Sequence, residues 1–305
     1  MRILILSFFV LILLAGCNRS HPKNNPEDRI FQFEPVKGIK YFEVRRAFAN
    51  GLSFDTLGFQ QEPEWAVRFL SDTTVQAYSP SMDKMIDFEL IFSHEGVYNF
   101  AREWFRVKEV NKDSLVLQRL EVNAKKIAHD VRSEVYMTFY AEKYIQDSLK
   151  ATVEELRKPR KADSVFVKQR VDETNANPLD TSKFFAARNP VAFIPKSKII
   201  SINKISNTDK LQNQSASYDY LYPEYQINIR PAYKKFAYTI SAIVDEKGKL
   251  TVYRFNAMDD YKENRRKVLQ GILDVYISKS TEIIPGSTLG YKHSSVIILD
   301  LIGNP

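Results

Sequence analysis

Cys17 is the single cysteine in the chain, and it closes an apolar run, Met1 to Cys17, that reads MRILILSFFVLILLAGC. Once that thiol is modified the folded part carries none, which excludes disulfides, thiolate zinc sites and cysteine nucleophiles together. The four histidines, His21, His94, His129 and His293, lie far apart, without the spacing that puts two imidazoles on one helix face around a metal. Gly286-Ser287-Thr288-Leu289-Gly290 has the outline of a nucleophile elbow, but its middle residue is threonine and no helix follows, so it reads as a loop. Asp259-Asp260 stands at a helix start, where acidic groups favour the helix dipole. There is no glycine-rich phosphate loop, and no acid/base pair can be picked from the spacing of the carboxylates. The residues therefore name no catalytic group, no cofactor-binding group and no metal ligand, and the chain reads as a non-enzyme.

The elements that would position a function begin at the N-terminus. Arg2 gives a positive start, Ile3 to Ala15 are apolar except for Ser7, and small residues precede the cysteine. A charged start, a short apolar core and small residues are the layout of a secretory signal, and the run falls short of the roughly 20 residues a membrane span needs. Leu14-Ala15-Gly16-Cys17 resembles the lipobox of bacterial lipoproteins. That resemblance implies cleavage before Cys17, acylation of its thiol and new amino group, and a mature protein held on a membrane by its lipid. Residues 1–16 are then a signal peptide, and residues 17–29, polar with Pro22 and Pro26, a short tether. The expected location is the cell envelope, on the periplasm-facing side of the outer membrane of a Gram-negative bacterium.

The 305 residues carry a net charge of +7, with the basic residues interspersed among 37 acidic ones rather than blocked together, which gives no nucleic-acid signal. Hydrophobic residues make up 44% and glycines number only ten, so the chain must bury real cores.

Residues 30–157 are predicted to form an antiparallel β meander or barrel followed by a helix. Short runs rich in aromatic and β-branched residues recur from Glu64 to Tyr140, and in Ile86 to Phe92 alternate residues are apolar, the period of a half-buried strand. Trp65, Phe69, Phe88, Phe92 and Leu117 are expected inside. The early Trp65, the run of strands and the Lys112 to Gln118 element (KDSLVLQ) resemble the lipocalin-like domains of bacterial lipoproteins. Ala141 to Arg157, with Tyr144, Ile145, Leu149, Val153 and Leu156 three or four apart, predicts an amphipathic helix. The basic stretch that follows and the Asn/Asp/Thr/Pro-rich stretch to Asn189 predict a linker over residues 158–196.

Residues 197–305 are predicted to be a two-layer α+β domain in the order β-β-α-β, which makes the whole chain α+β. Tyr238 to Val244 and Leu250 to Phe255 flank a tight turn at Asp245 to Gly248, Glu263 to Ile277 has a helical stripe, and Ser294 to Ile302 is a last strand. Tyr222-Pro223, the Val244-Asp245-x-x-Gly248 turn, the helix, Ile284-Pro285 and the glycine before the last strand resemble the C-terminal domain of TonB-type energy transducers. That resemblance implies that Val296, Ile297, Ile298 and Leu299 offer a strand edge to an extended peptide of a partner. The opposing reading is a covered central strand, since the run is apolar on both faces. The expected function is binding or scaffolding of an envelope protein at a membrane reached through lipid on Cys17, without a cofactor. The alternative is a carrier of a small apolar ligand in the N-terminal barrel.

Overall fold

The computed structural model describes residues 30–79, 82–123, 126–127, 134–206 and 217–305. Cys17, His21 and His129 lie outside them. The chain divides into two units, the first from Glu64–Thr152 together with the residues up to Val44, the second from Arg45–Pro63 together with Val153–Pro305.

The first unit is a nine-stranded antiparallel sheet, β1 (Lys40–Phe48, of which the residues from Arg45 count to the second unit), β2 (Ala66–Ser71), β3 (Thr74–Ser79), β4 (Lys84–Glu89), β5 (Ile91–His94), β6 (Val97–Phe100), β7 (Glu103–Val110), β8 (Ser114–Leu120) and β11 (Val135–Ala141). Two further short strands, β9 (Val122–Asn123) and β10 (Lys126–Ile127), pair with each other. The sheet order is β4-β3-β2-β1-β11-β8-β7-β6-β5. Its two outer members, β4 and β5, are consecutive in the chain and separated by Leu90 alone, so the sheet wraps into a nearly closed barrel. Strict alternation drives this wrapping. In β11, Val135, Met137, Phe139 and Ala141 are buried while the residues between them are half-exposed. The interior is packed with side chains, Phe69, Phe92, Tyr98, Phe100, Phe105, Leu117 and Phe139 among them. A helical turn at Glu34–Val36 adds Phe33, which stacks on Phe69 with ring centroids 4.1 Å apart and whose N–H donates to Asp72 Oδ1 at 2.6 Å. Of the five residues expected inside, Phe69, Phe92 and Leu117 are buried, and Trp65 and Phe88 pack half-buried against the same core.

The second unit contains a five-stranded sheet in the order β13-β14-β20-β15-β16. These strands are β13 (Ile200–Lys204), β14 (Glu224–Ile229), β15 (Phe236–Val244), β16 (Leu250–Phe255) and β20 (Ser295–Gly303). Helix α2 (Asp259–Ile272), extended by a wider turn over Leu273–Ile277, lays Leu269, Ile272, Leu273 and Ile277 against Ile297, Leu299 and Leu301 of β20. Asp259 and Asp260 occupy its first turn. Smaller pairs, β12 (Ala192–Pro195) with β17 (Thr281–Ile284) and β18 (Ser287–Thr288) with β19 (Tyr291–Lys292), complete the unit.

Three expectations are corrected. Residues 158–196 are not a bare linker: they contain α1 (Lys161–Ala176), whose Val167 and Val171 pack with Phe54 and Phe185 in a small satellite core. The helix expected over Ala141 to Arg157 is two short pieces, a wide turn at Tyr144–Leu149 and one turn at Val153–Leu156, because Lys150 takes a left-handed conformation between them. The open edge at Val296 to Leu299 is absent: β20 pairs with β15 along its length and with β14 from Ile298 onward. β14, drawn from the chain after Tyr222-Pro223, runs parallel to β20 and covers the edge. Backbone groups already spent on two neighbours cannot take a third.

Candidate binding cleft

The face of the five-stranded sheet opposite α2 is the floor of a cleft of about 560 Å³ within the second unit. Val296 and Ile298 of β20 and Ser241 of β15 face it, alternating with the core residues Ile297 and Leu299. Ser241 and Arg254 are cross-strand partners, and a bulge between Ser241 and Ala242 in the pairing with β16 turns Tyr253 toward the same cleft.

Three segments wall it. The first is the loop from Phe54 to Gln60, in which Asp55 Oδ1 accepts the N–H groups of Leu57 and Phe59, both at 2.8 Å. The second, Phe184-Phe185-Ala186, is tied to that loop by the Ala186 N–H donating to the Leu57 carbonyl at 2.8 Å. Gly58 makes the approach possible: with φ at 96°, a Cβ there would stand 2.6 Å from the Ala186 carbonyl oxygen. The third wall is Leu221-Tyr222-Pro223, fixed where the Ile298 N–H donates to the Pro223 carbonyl. Next to it the buried Tyr220 hydroxyl accepts the Gln60 N–H at 3.0 Å, and the Arg188 guanidinium covers the Tyr220 ring while it holds Glu62 at 2.7 Å.

The lining is chiefly apolar and aromatic, and its mouth is open. Leu57 is 67% exposed and Tyr222 56%. Phe184 meets Tyr253 edge-on with centroids 5.3 Å apart, and Arg254 lies over the Tyr253 ring at 4.8 Å. Among the described residues no carboxylate stands within ion-pair distance of Arg254.

Behind the Phe185 wall lies a closed polar network. His293 and Thr288 are both fully buried, with Nε2 3.0 Å from Thr288 Oγ1 and Nδ1 3.0 Å from the Ser294 carbonyl. Burial pushes the imidazole below the ordinary histidine range, against a smaller upward pull from the Ser294 contact, so the ring is neutral. Nδ1–H then donates to the carbonyl and Nε2 accepts the Thr288 hydroxyl, which in turn accepts the Arg188 N–H at 3.1 Å. This is scaffolding without solvent access. Its folded value is depressed, so the neutral ring favours folding above the unfolded value of about 6.5 and that contribution is lost as pH falls below it. We expect the urea midpoint of the second unit to drop between about pH 8 and about pH 5, and His293→Gln to remove that part of the slope; an unchanged slope would show that the ring titrates freely.

Of the residues singled out from the sequence, Val296 and Ile298 reach the cleft through their side chains, whereas Ile297 and Leu299 belong to the core. Gly286 to Gly290 forms the turn of the β18-β19 hairpin, with Leu289 and Gly290 at positive φ. His94 is exposed with Ser93 Oγ 2.9 Å from its Nδ1. Among the described residues no group of His, Cys, Asp and Glu could hold a metal ion, and no helix is long and apolar enough to cross a membrane.

No protein-family model and no curated protein matches the chain. Among solved structures, the siderocalin Ex-FABP, described as functioning through dual ligand specificities, is similar at 16% identity over 46% of this chain and 83% of its own, with a TM-score of 0.21. A likeness of that size transfers no ligand to this protein.

Proposed function

We propose that the protein is a non-enzymatic lipoprotein of the cell envelope, anchored through Cys17 on the periplasm-facing outer membrane, that binds another envelope protein through its second unit. The observation that carries the reading is the cleft: an apolar floor, aromatic walls and a wide exposed mouth, without a paired acid and base at it. A small-molecule site buries most of its ligand, whereas Leu57 and Tyr222 leave this one open to side chains presented by a partner. The order strand, strand, helix, strand in β15, β16, α2 and β20 supports the kinship to TonB-type C-terminal domains, with β14 as an addition. The alternative, an apolar ligand inside the first unit, would have to displace the rings of Phe69, Tyr98, Phe100, Phe105 and Phe139.

Two measurements on intact envelopes test the reading. The extracted protein should have the mass of a chain beginning at acylated Cys17; a species that retains Met1, or lacks lipid, removes the anchor. A photo-crosslinking residue at Tyr222 should capture one discrete protein that the same group at exposed Lys108 does not. Equal capture at both positions, or none, removes the binding role.

A further inference from the structure

The chemistry of the occupant can be read from what the cleft leaves unsatisfied. Resting on the protein-binding reading above, we propose that the cleft takes an extended partner segment with bulky apolar side chains and one carboxylate, the apolar groups on Val296, Ile298, Phe59 and Phe184 and the carboxylate on Arg254.

Two charged residues line the cleft, and their situations differ. Asp55 is already used: its Oδ1 accepts two backbone amides and its loop folds around it. Arg254 is exposed at the mouth and rests only on the face of Tyr253, with no ion-pair partner among the described residues. A guanidinium stacked on a ring keeps its fork of N–H donors free at the edge, and that fork matches a carboxylate in two parallel hydrogen bonds. Tyr253 also fixes the guanidinium in place, so a bound carboxylate costs less ordering than it would on a free arginine. Net complementarity at the mouth is therefore to an anion. The volume, about 560 Å³, suits a few large side chains.

Selection of a random displayed peptide library on the full-length chain reads this out, followed by titration of the enriched peptide as a fluorescent conjugate. Enriched sequences should combine large apolar residues with an Asp or Glu. Affinity should fall about tenfold in Arg254→Gln, the loss expected for one charge-assisted contact, and partly recover in Arg254→Lys. Replacing the peptide's acid with its amide should cost the same on the wild-type chain and nothing further on Arg254→Gln. Arg254 is exposed, so these variants keep the fold. Binding that Leu57→Asp weakens but Arg254→Gln does not would overturn the carboxylate assignment while leaving the protein-binding cleft intact. Peptides insensitive to both variants, or no enrichment beside saturable binding of 8-anilinonaphthalene-1-sulfonate that Leu57→Asp abolishes, would overturn the inference and the reading beneath it together.

Discussion

Asp163→Ala should lower the stability of the second unit by about 3–5 kcal/mol, the cost of leaving a buried charge without its partner. Asp163 is 0% exposed and Arg45 8%. The carboxylate accepts Arg45 Nη1 at 2.6 Å and Nη2 at 3.3 Å, the Ser53 N–H at 2.7 Å and the Arg160 N–H at 2.8 Å. It thus caps the first turn of α1 and pins the segment after Arg45 to that helix. Without it the guanidinium keeps one acceptor, the Gly51 carbonyl at 2.5 Å. A double variant, Arg45→Met with Asp163→Leu, should cost less than either single change, because both desolvation penalties vanish together. Burial alone would raise the Asp163 carboxyl, but the Arg45 guanidinium and the two amides outweigh it and hold the group below the usual carboxylate range. The folded value being depressed, this stabilisation is present above the unfolded value of about 3.9 and is lost as pH falls through the lower folded one. Urea denaturation of the wild type and the three variants decides it. A single-variant loss below about 1 kcal/mol would mean that water reaches the pair.

Local order was legible in the chain, and long-range pairing was not. The alternation from Val135 to Ala141, the turn at Gly248 and the stripe of α2 each rest on neighbours a few residues apart, and the structure keeps them. α1 escaped because its apolar residues are few. It is held by tertiary contacts, Val167 and Val171 on Phe54 and Phe185 and the carboxylate of Asp163 on Arg45, and these are separated by more than a hundred residues in the cases of Phe54 and Arg45. The stripe read over Tyr144 to Leu156 misled for the converse reason: only Ile145 of its five residues is buried, so spacing existed without a surface to pack on. β14 on β20 is a parallel pairing between Glu224–Ile229 and Ile298–Gly303, which no local pattern announces. The cleft draws on the Asp55 loop, Phe184-Phe185, Leu221 to Pro223, the β16 bulge and β20, so its composition exists only after folding.

The first unit yields the second large effect. Phe105→Ala should cost about 3–5 kcal/mol. Phe105 is 0% exposed, its ring centroid lies 4.6 Å from that of Phe100, and it meets Trp65 nearly edge-on at 5.5 Å. Deleting the ring removes its transfer energy and both aromatic contacts, each worth about 0.5–1.5 kcal/mol beyond buried area. Collapse cannot recover much, since β7 is hydrogen-bonded to β6 and β8 on either side and the barrel wall cannot move inward. Phe105→Leu should cost less, and Lys108→Ala on the exposed side of the same strand no more than about 0.5 kcal/mol. The variant also separates the two readings of the barrel. An apolar void of that kind stays dry and admits benzene, so benzene should raise the melting temperature of Phe105→Ala and leave the wild type unmoved, as befits an interior already filled by its own rings. A wild-type barrel stabilised by benzene, with Phe105→Ala costing little, would show that the interior has room, and would restore the small apolar ligand as the first unit's cargo.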